Sequence, residues 1–113
     1  MTDKILVFST CASQEEAEKL ARLVVERGLA ACASIVPNVH SYYRWQGAVE
    51  TASEYMLMIK SARPQFAALS AAIERAHSYE VPEVLAVPVV AGSAPYLAWL
   101  EASLAGENEG ASQ

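Results

Sequence analysis

Two stretches decide how this chain folds: Ala31–Tyr43, ACASIVPNVHSYY, and Val49–Ser61, VETASEYMLMIKS. Both are rich in β-branched and aromatic residues, and Trp45-Gln46-Gly47 between them has the composition of a turn. The pattern predicts a long antiparallel hairpin. Upstream, Lys4–Cys11 (KILVFSTC) reads as a strand that runs to Ser13, which opens a Ser-x-x-Glu capping box with Glu16. Ala17, Leu20, Ala21, Val24 and Val25 then recur at helical spacing, with Glu15, Glu18, Lys19, Arg22 and Glu26 on the other face. Gly28 supplies the left-handed stop.

Downstream, Pro64 opens a second helix at its first position, with Phe66, Leu69, Ile73 and Ala76 on one side, and Tyr79-Glu80-Val81-Pro82 closes it. Val84–Val90 reads as a further strand, and Ser93-Ala94-Pro95 opens a third helix carrying Tyr96, Leu97, Trp99, Leu100 and Leu104. The order is β-α-β-β-α-β plus a C-terminal helix, an α+β ferredoxin-like two-layer sandwich with a long hairpin between its second and third strands. Two right-handed crossovers put the first and third strands in the middle of the sheet and the second and fourth at its edges. Pro37 and Pro88 fall in the two edge strands, where a residue without an N–H is tolerated. Residues 1–105 are expected to form one domain, and 106–113, with little to bury, a disordered tail.

Composition narrows the function. The 113 residues are 53% hydrophobic and 19% charged, with a net charge of −5. Eight Lys and Arg dispersed along the chain are a poor match to nucleic-acid phosphates. No apolar run approaches the ~20 residues of a membrane span, and Ile5–Phe8 is too short for a signal core, so a cytoplasmic protein is expected. The apolar share exceeds the roughly 45–50% of ordinary globular chains. The strands show where the surplus goes: Tyr55, Leu57 and Ile59 oppose Met56 and Met58; Ile5 and Val7 oppose Leu6 and Phe8; Val84 and Ala86 oppose Leu85 and Val87. Helices cover one face of such a sheet. The apolar second face predicts an obligate homo-oligomer.

Enzyme signatures are lacking: there is no Gly-x-x-x-x-Gly-Lys, His-Glu-x-x-His or Gly-x-Ser-x-Gly. The first strand-helix loop has Cys11-Ala12-Ser13-Gln14, one thiol where a heavy-metal chaperone needs two, and no Arg to hold a phosphoryl group. Soft-metal candidates are Cys11, Cys32, His40 and His77, none at local ligand spacing. Cys32 reads as a small buried hydrophobe, His40 as a solvated hairpin residue, and His77 as a helix-end residue with Tyr79, Glu80 and Glu83 as neighbours. Trp45 at a hairpin tip reads as a contact residue, for a subunit before a ligand.

The residues also resemble a known family, the CutA divalent-ion tolerance proteins. Leu29-Ala-Ala-Cys32 followed by Val36-Pro37-x-Val39-x-Ser41-x-Tyr43-x-Trp45-x-Gly47-x-x-Glu50 is similar to that family's hairpin signature. Glu54 and Lys60, His77-x-Tyr79-x-Val81-Pro82-Glu83, and Tyr96-Leu97-x-Trp99 fit its other motifs, over residues 4–104. The resemblance implies a PII-like homotrimer in which the hairpin reaches a neighbouring subunit, with no catalytic residues, a role in tolerance to copper and other divalent ions, and weak metal or small-ligand binding in inter-subunit clefts. It points to His77, Cys11 and Cys32 as metal candidates and to Tyr43, Trp45, Lys60, Tyr79 and Glu83 for the ligand cleft. Ser9 stands where copper-associated members are expected to carry a Cys, and Ala76-His77-Ser78 replaces a His-His-Pro element. Ser9 and Cys11 share a strand face, so Cys11 is the available substitute thiolate. The rivals are a PII-like sensor of a small organic or nucleotide effector and a trimeric scaffold for a partner protein.

Overall fold

The structure, a computed structural model, describes residues 2–104; the expected tail from Gly106 lies outside them. Its elements are β1 (Lys4–Cys11), α1 (Gln14–Glu26), β2 (Cys32–Trp45), β3 (Ala48–Ala62), α2 (Phe66–Ala76), β4 (Leu85–Pro88) and α3 (Ala94–Ser103). The strands form one antiparallel sheet in the order β2-β3-β1-β4. The expected topology is therefore observed, with Pro37 and Pro88 in edge strands.

Local chemistry sets the element ends. The Ser13 hydroxyl accepts the Glu16 N–H at 3.1 Å and starts α1. Only half of the capping box forms. The Glu16 carboxylate turns instead to the distant loop after α2, accepting from the Ser78 N–H at 2.7 Å and its hydroxyl at 3.0 Å. Gly28 (φ 70°) ends α1 in a Schellman motif, in which the Gly28 N–H reaches Val25 O at 3.0 Å and the Leu29 N–H reaches Val24 O at 2.9 Å. Pro64 sits in a 3-10 turn, Arg63–Gln65, one step before α2, and the buried stripe of α2 is Leu69, Ala72 and Ile73, leaving Ala76 exposed. The last strand is shorter than its apolar run: the ladder to β1 spans Leu85–Pro88, and beyond it the Val89 N–H still donates to Lys4 O, at 3.0 Å.

Alternation divides the sheet. Ile5, Val7, Leu57 and Ile59 face α1 and α2 and pack with Leu20, Val24, Leu69 and Ile73, all 4% exposed or less. On the opposite face Leu6, Phe8, Met56 and Met58 are only half-buried, and Leu85 and Val87 remain 60% and 41% exposed. The third helix docks on the sheet through buried Leu100 and through Glu101, which accepts from the Lys4 ammonium at 2.6 Å. Hydrogen bonds to Asp3 and Glu101 hold the Lys4 ammonium above its usual range. Large apolar side chains still face outward across the sheet from α1 and α2, each worth roughly 1.5–3 kcal/mol when covered.

Two buried serines on the helix side test this packing. The Ser61 hydroxyl donates to Leu29 O at 2.6 Å, whereas the equally buried Ser9 hydroxyl has no partner among the described residues. Ser61→Ala should cost about 1–2 kcal/mol, and Ser9→Ala should raise stability by about 1 kcal/mol. Urea unfolding midpoints at fixed protein concentration will read the two opposite shifts.

Candidate ligand cleft at the root of the hairpin

The hairpin closes at Gln46-Gly47, whose positive φ values (51° and 84°) match a two-residue I′ turn, so Trp45 belongs to β2 itself. Ten residues earlier the ladder slips. Val36 pairs with Met56 but Val39 pairs with Glu54, so β2 carries one extra residue there, and Asn38 adopts φ 62° to absorb it. The bulge exchanges the faces of β2. Before it, Ser34 and Val36 share a face with Met58 and Met56; beyond it, Val39, Ser41, Tyr43 and Trp45 take that face opposite Glu54, Ala52, Glu50 and Ala48.

The loop after α2 supplies the other wall. His77 caps the helix end and is fully buried at its side chain. Its Nδ1 accepts the Tyr79 N–H at 3.0 Å, so the proton sits on Nε2, which donates to Thr10 O at 2.8 Å. The imidazole thus ties the loop to the end of β1. Tyr79 packs against it with ring centroids 4.7 Å apart, and its hydroxyl donates to Glu54 Oε2 at 2.6 Å. Glu54 is 6% exposed, in the middle of β3.

Between hairpin and loop lies a cleft of ≈ 510 Å³ lined by Thr10, Ser41–Tyr43, Trp45, Glu54 and Tyr79–Glu83. Its electrostatics follow from crowded acids. Burial, then the Glu54 charge, pushes the Glu83 carboxyl above its usual range. Burial, then the bond to Glu54, pushes the Tyr79 phenol well above its own.

Of the expected site residues, Tyr43, Trp45, Tyr79 and Glu83 come together here. Lys60 does not: six residues along β3 from Glu54, roughly 20 Å, it donates to Ser34 Oγ at 2.9 Å and contacts Cys32 Sγ at 3.8 Å. Cys11 lies on the helix-facing side opposite Tyr55, and Cys32 on the other side opposite Lys60, so the two thiols are separated by about 17 Å along β3. Both are free cysteines. Burial first, then the charges of Glu16 and Glu54, pushes the Cys11 thiol up to about 12. His77 uses both ring nitrogens on backbone groups. These three residues do not compose a soft-metal site within one subunit, and among the described residues no three His, Cys, Asp or Glu side chains gather as a metal-holding group. Reasoning from the sequence passed over Thr10, and met Ser41 only as part of the hairpin signature and Glu80 only as a neighbour of His77. Glu54 carried a signal, an acid in the run of half-buried residues ending at Met56 and Met58.

A two-layer ferredoxin-like sheet with an acidic, aromatic-walled cleft at the root of a projecting hairpin defines a class of small α+β proteins. The particular family follows from comparison: the model described as "CutA1 divalent ion tolerance protein" matches residues 5–103, and the chain belongs to that family. "Protein CutA" of Mus musculus is 43% identical over 93 residues, 82% of this chain and 52% of that protein. "Divalent-cation tolerance protein CutA" of Thermus thermophilus is 41% identical over 95 residues, 84% of this chain and 92% of that protein. The crystal structure of CutA from Xylella fastidiosa superposes with a TM-score of 0.89 at 38% identity, covering 91% of this chain and 99% of that one. The chain spans about half the length of the mouse, human and Arabidopsis relatives.

Two outcomes check the electrostatics. In the native protein at pH 8, iodoacetamide should leave Cys11 unmodified until urea is added, as read by peptide mass spectrometry. Because the folded pKa of Glu83 is raised, the native state binds more protons than the unfolded chain as pH climbs from the ordinary value of 4.5, and stability falls across that window. Glu83→Gln should flatten the fall in melting temperature with rising pH.

Proposed function

We propose that this chain acts as a homotrimer in the cytoplasmic response to divalent metal ions, copper among them. It catalyses no reaction and binds an ion or small molecule weakly where the cleft meets a neighbouring subunit. The observation that carries this reading is the convergence of Tyr43, Trp45, Tyr79 and Glu83 with the buried Glu54 at one cleft. Support for association comes from the incompletely covered sheet face with Leu85 and Val87 and from a hairpin whose outer side chains, Tyr42–Val49, are all exposed. Three copies is the assembly that the resemblance to CutA proteins implies. No described helix is long and apolar enough to cross a membrane. An ion held within one subunit meets the oxygen donors of Glu54 and Glu83, a hard set that binds soft ions weakly.

A second reading, a PII-like sensor of a small organic effector, is favoured by the volume of the cleft, ≈ 510 Å³, which falls in the range of small-molecule sites and far exceeds one ion.

Light scattering at micromolar concentration should give three times the 12.1 kDa subunit mass. Leu85→Glu should lower it. Calorimetric titration with Cu(II), Zn(II) and Mn(II) should show weak heats that fall in Glu54→Gln. A monomer mass would overturn the assembly, and heats unchanged by Glu54→Gln would remove the ion from the cleft.

A further inference from the structure

We infer that the cleft takes an organic ammonium ion, a small amine with an apolar body; this rests on the reading of the cleft as the ligand site and names the ligand's chemistry. The first observation is charge. Three lining side chains are acids, Glu54, Glu80 and Glu83, and none is Lys, Arg or His. Glu54 is 6% exposed and among the described residues receives one hydrogen bond, from the neutral Tyr79 hydroxyl, with no described cation paired to it. Burial and the Glu54 charge also disfavour a second carboxylate at Glu83. A cation relieves both, while phosphates, nucleotides and carboxylic acids are repelled.

The second observation is independent of the acids. Thr10 lines the cleft, is 8% exposed, and its hydroxyl has no hydrogen-bond partner among the described residues. It pairs with Met56, two residues from Glu54, and so stands on the same face of the sheet. Thr10 thus offers the cleft an unpaired hydroxyl oxygen on the sheet face that carries Glu54, an acceptor that an ammonium N–H satisfies.

The walls decide between an organic cation and a bare metal ion. Tyr43, Trp45 and Tyr79 present aromatic surface around the carboxylates, and a cation at such faces gains roughly 2–5-fold in affinity per ring even at an exposed site. Val81 and Pro82 add apolar surface for the ligand's body, and the volume of ≈ 510 Å³ leaves room for it. A metal ion would need a tighter set of donors than the described residues assemble.

The test is an isosteric series, n-pentylamine, 1-pentanol and pentanoate, titrated against the full chain by Trp45 fluorescence in a Trp99→Phe background and by calorimetry. Pentylamine should bind saturably, with pentanol and pentanoate weaker by roughly tenfold or more. Glu54→Gln should weaken pentylamine roughly tenfold, and Tyr43→Ala, a change at a wall residue 44% exposed, by about threefold. Circular dichroism and particle mass report the fold of each variant, and Tyr43→Ala tests the site if Glu54→Gln does not fold. Pentanol equal to pentylamine, or pentanoate preferred, overturns the inference while leaving a ligand cleft. Mn(II) or Zn(II) binding that depends on Glu54, with no amine binding, also overturns it and keeps the cleft as an ion site. Amine binding indifferent to both substitutions lies elsewhere and overturns it, as does silence across the whole series.

Discussion

The single extra residue between Val36 and Val39 governs what this sheet can bind. Side chains in a strand alternate with a period of two, so one inserted residue moves everything beyond it to the other face. Without the bulge Tyr42 and Arg44 would stand on the face of Glu54. With it, Ser41, Tyr43 and Trp45 do, and a cation that would neutralise the cleft is directed away. Pro37 and Asn38 suit the position: the proline has no N–H to donate, and asparagine tolerates the left-handed conformation at φ 62°. The edge location of β2 is what makes the irregularity inexpensive, since only one neighbour's ladder is interrupted.

The remaining wall depends on a polar chain rather than on apolar packing. From Thr10 O through the His77 imidazole to the Tyr79 N–H, and from the Tyr79 hydroxyl to Glu54, each buried group is answered by another. Glu16 adds a second tether by leaving its own helix cap to hold Ser78. Such groups are costly to bury alone and rigid when satisfied together, so the loop after α2 is held at one position against β1 and β3. That position places Tyr79 and Glu83 opposite the hairpin. The same loop then enters β4 at the sheet's far edge, so the crossover that completes the fold also completes the cleft.

Much of the architecture was legible because its causes are local. The turn at Gln46-Gly47, the Ser13 and Ser93 caps, and the stop at Gly28 act within a few residues, and Pro37 and Pro88 mark their strands as edges wherever those strands pair. Four of the five expected cleft residues meet for a related reason, since they cluster in the two motifs that bound it. Lys60 was misplaced because belonging to the hairpin motif says nothing of distance along a 15-residue strand. Pro37 was read only as an edge marker. Its second meaning, a bulge, requires knowing the register on β3.

What the sequence determined by itself was the alternation, the caps, the edge prolines and hence the strand order, because each follows from backbone sterics or neighbours a few residues apart. Tertiary structure decided the roles. His77, a candidate metal ligand by residue type, became a buried brace through a partner 67 residues away, and Glu54 became the floor of a cleft through a tyrosine 25 residues away. Cys11 and Cys32 parted to opposite faces of the sheet. Partners at such separations are chosen by how the sheet twists, slips and packs, and no period or motif along the chain encodes which of them will meet.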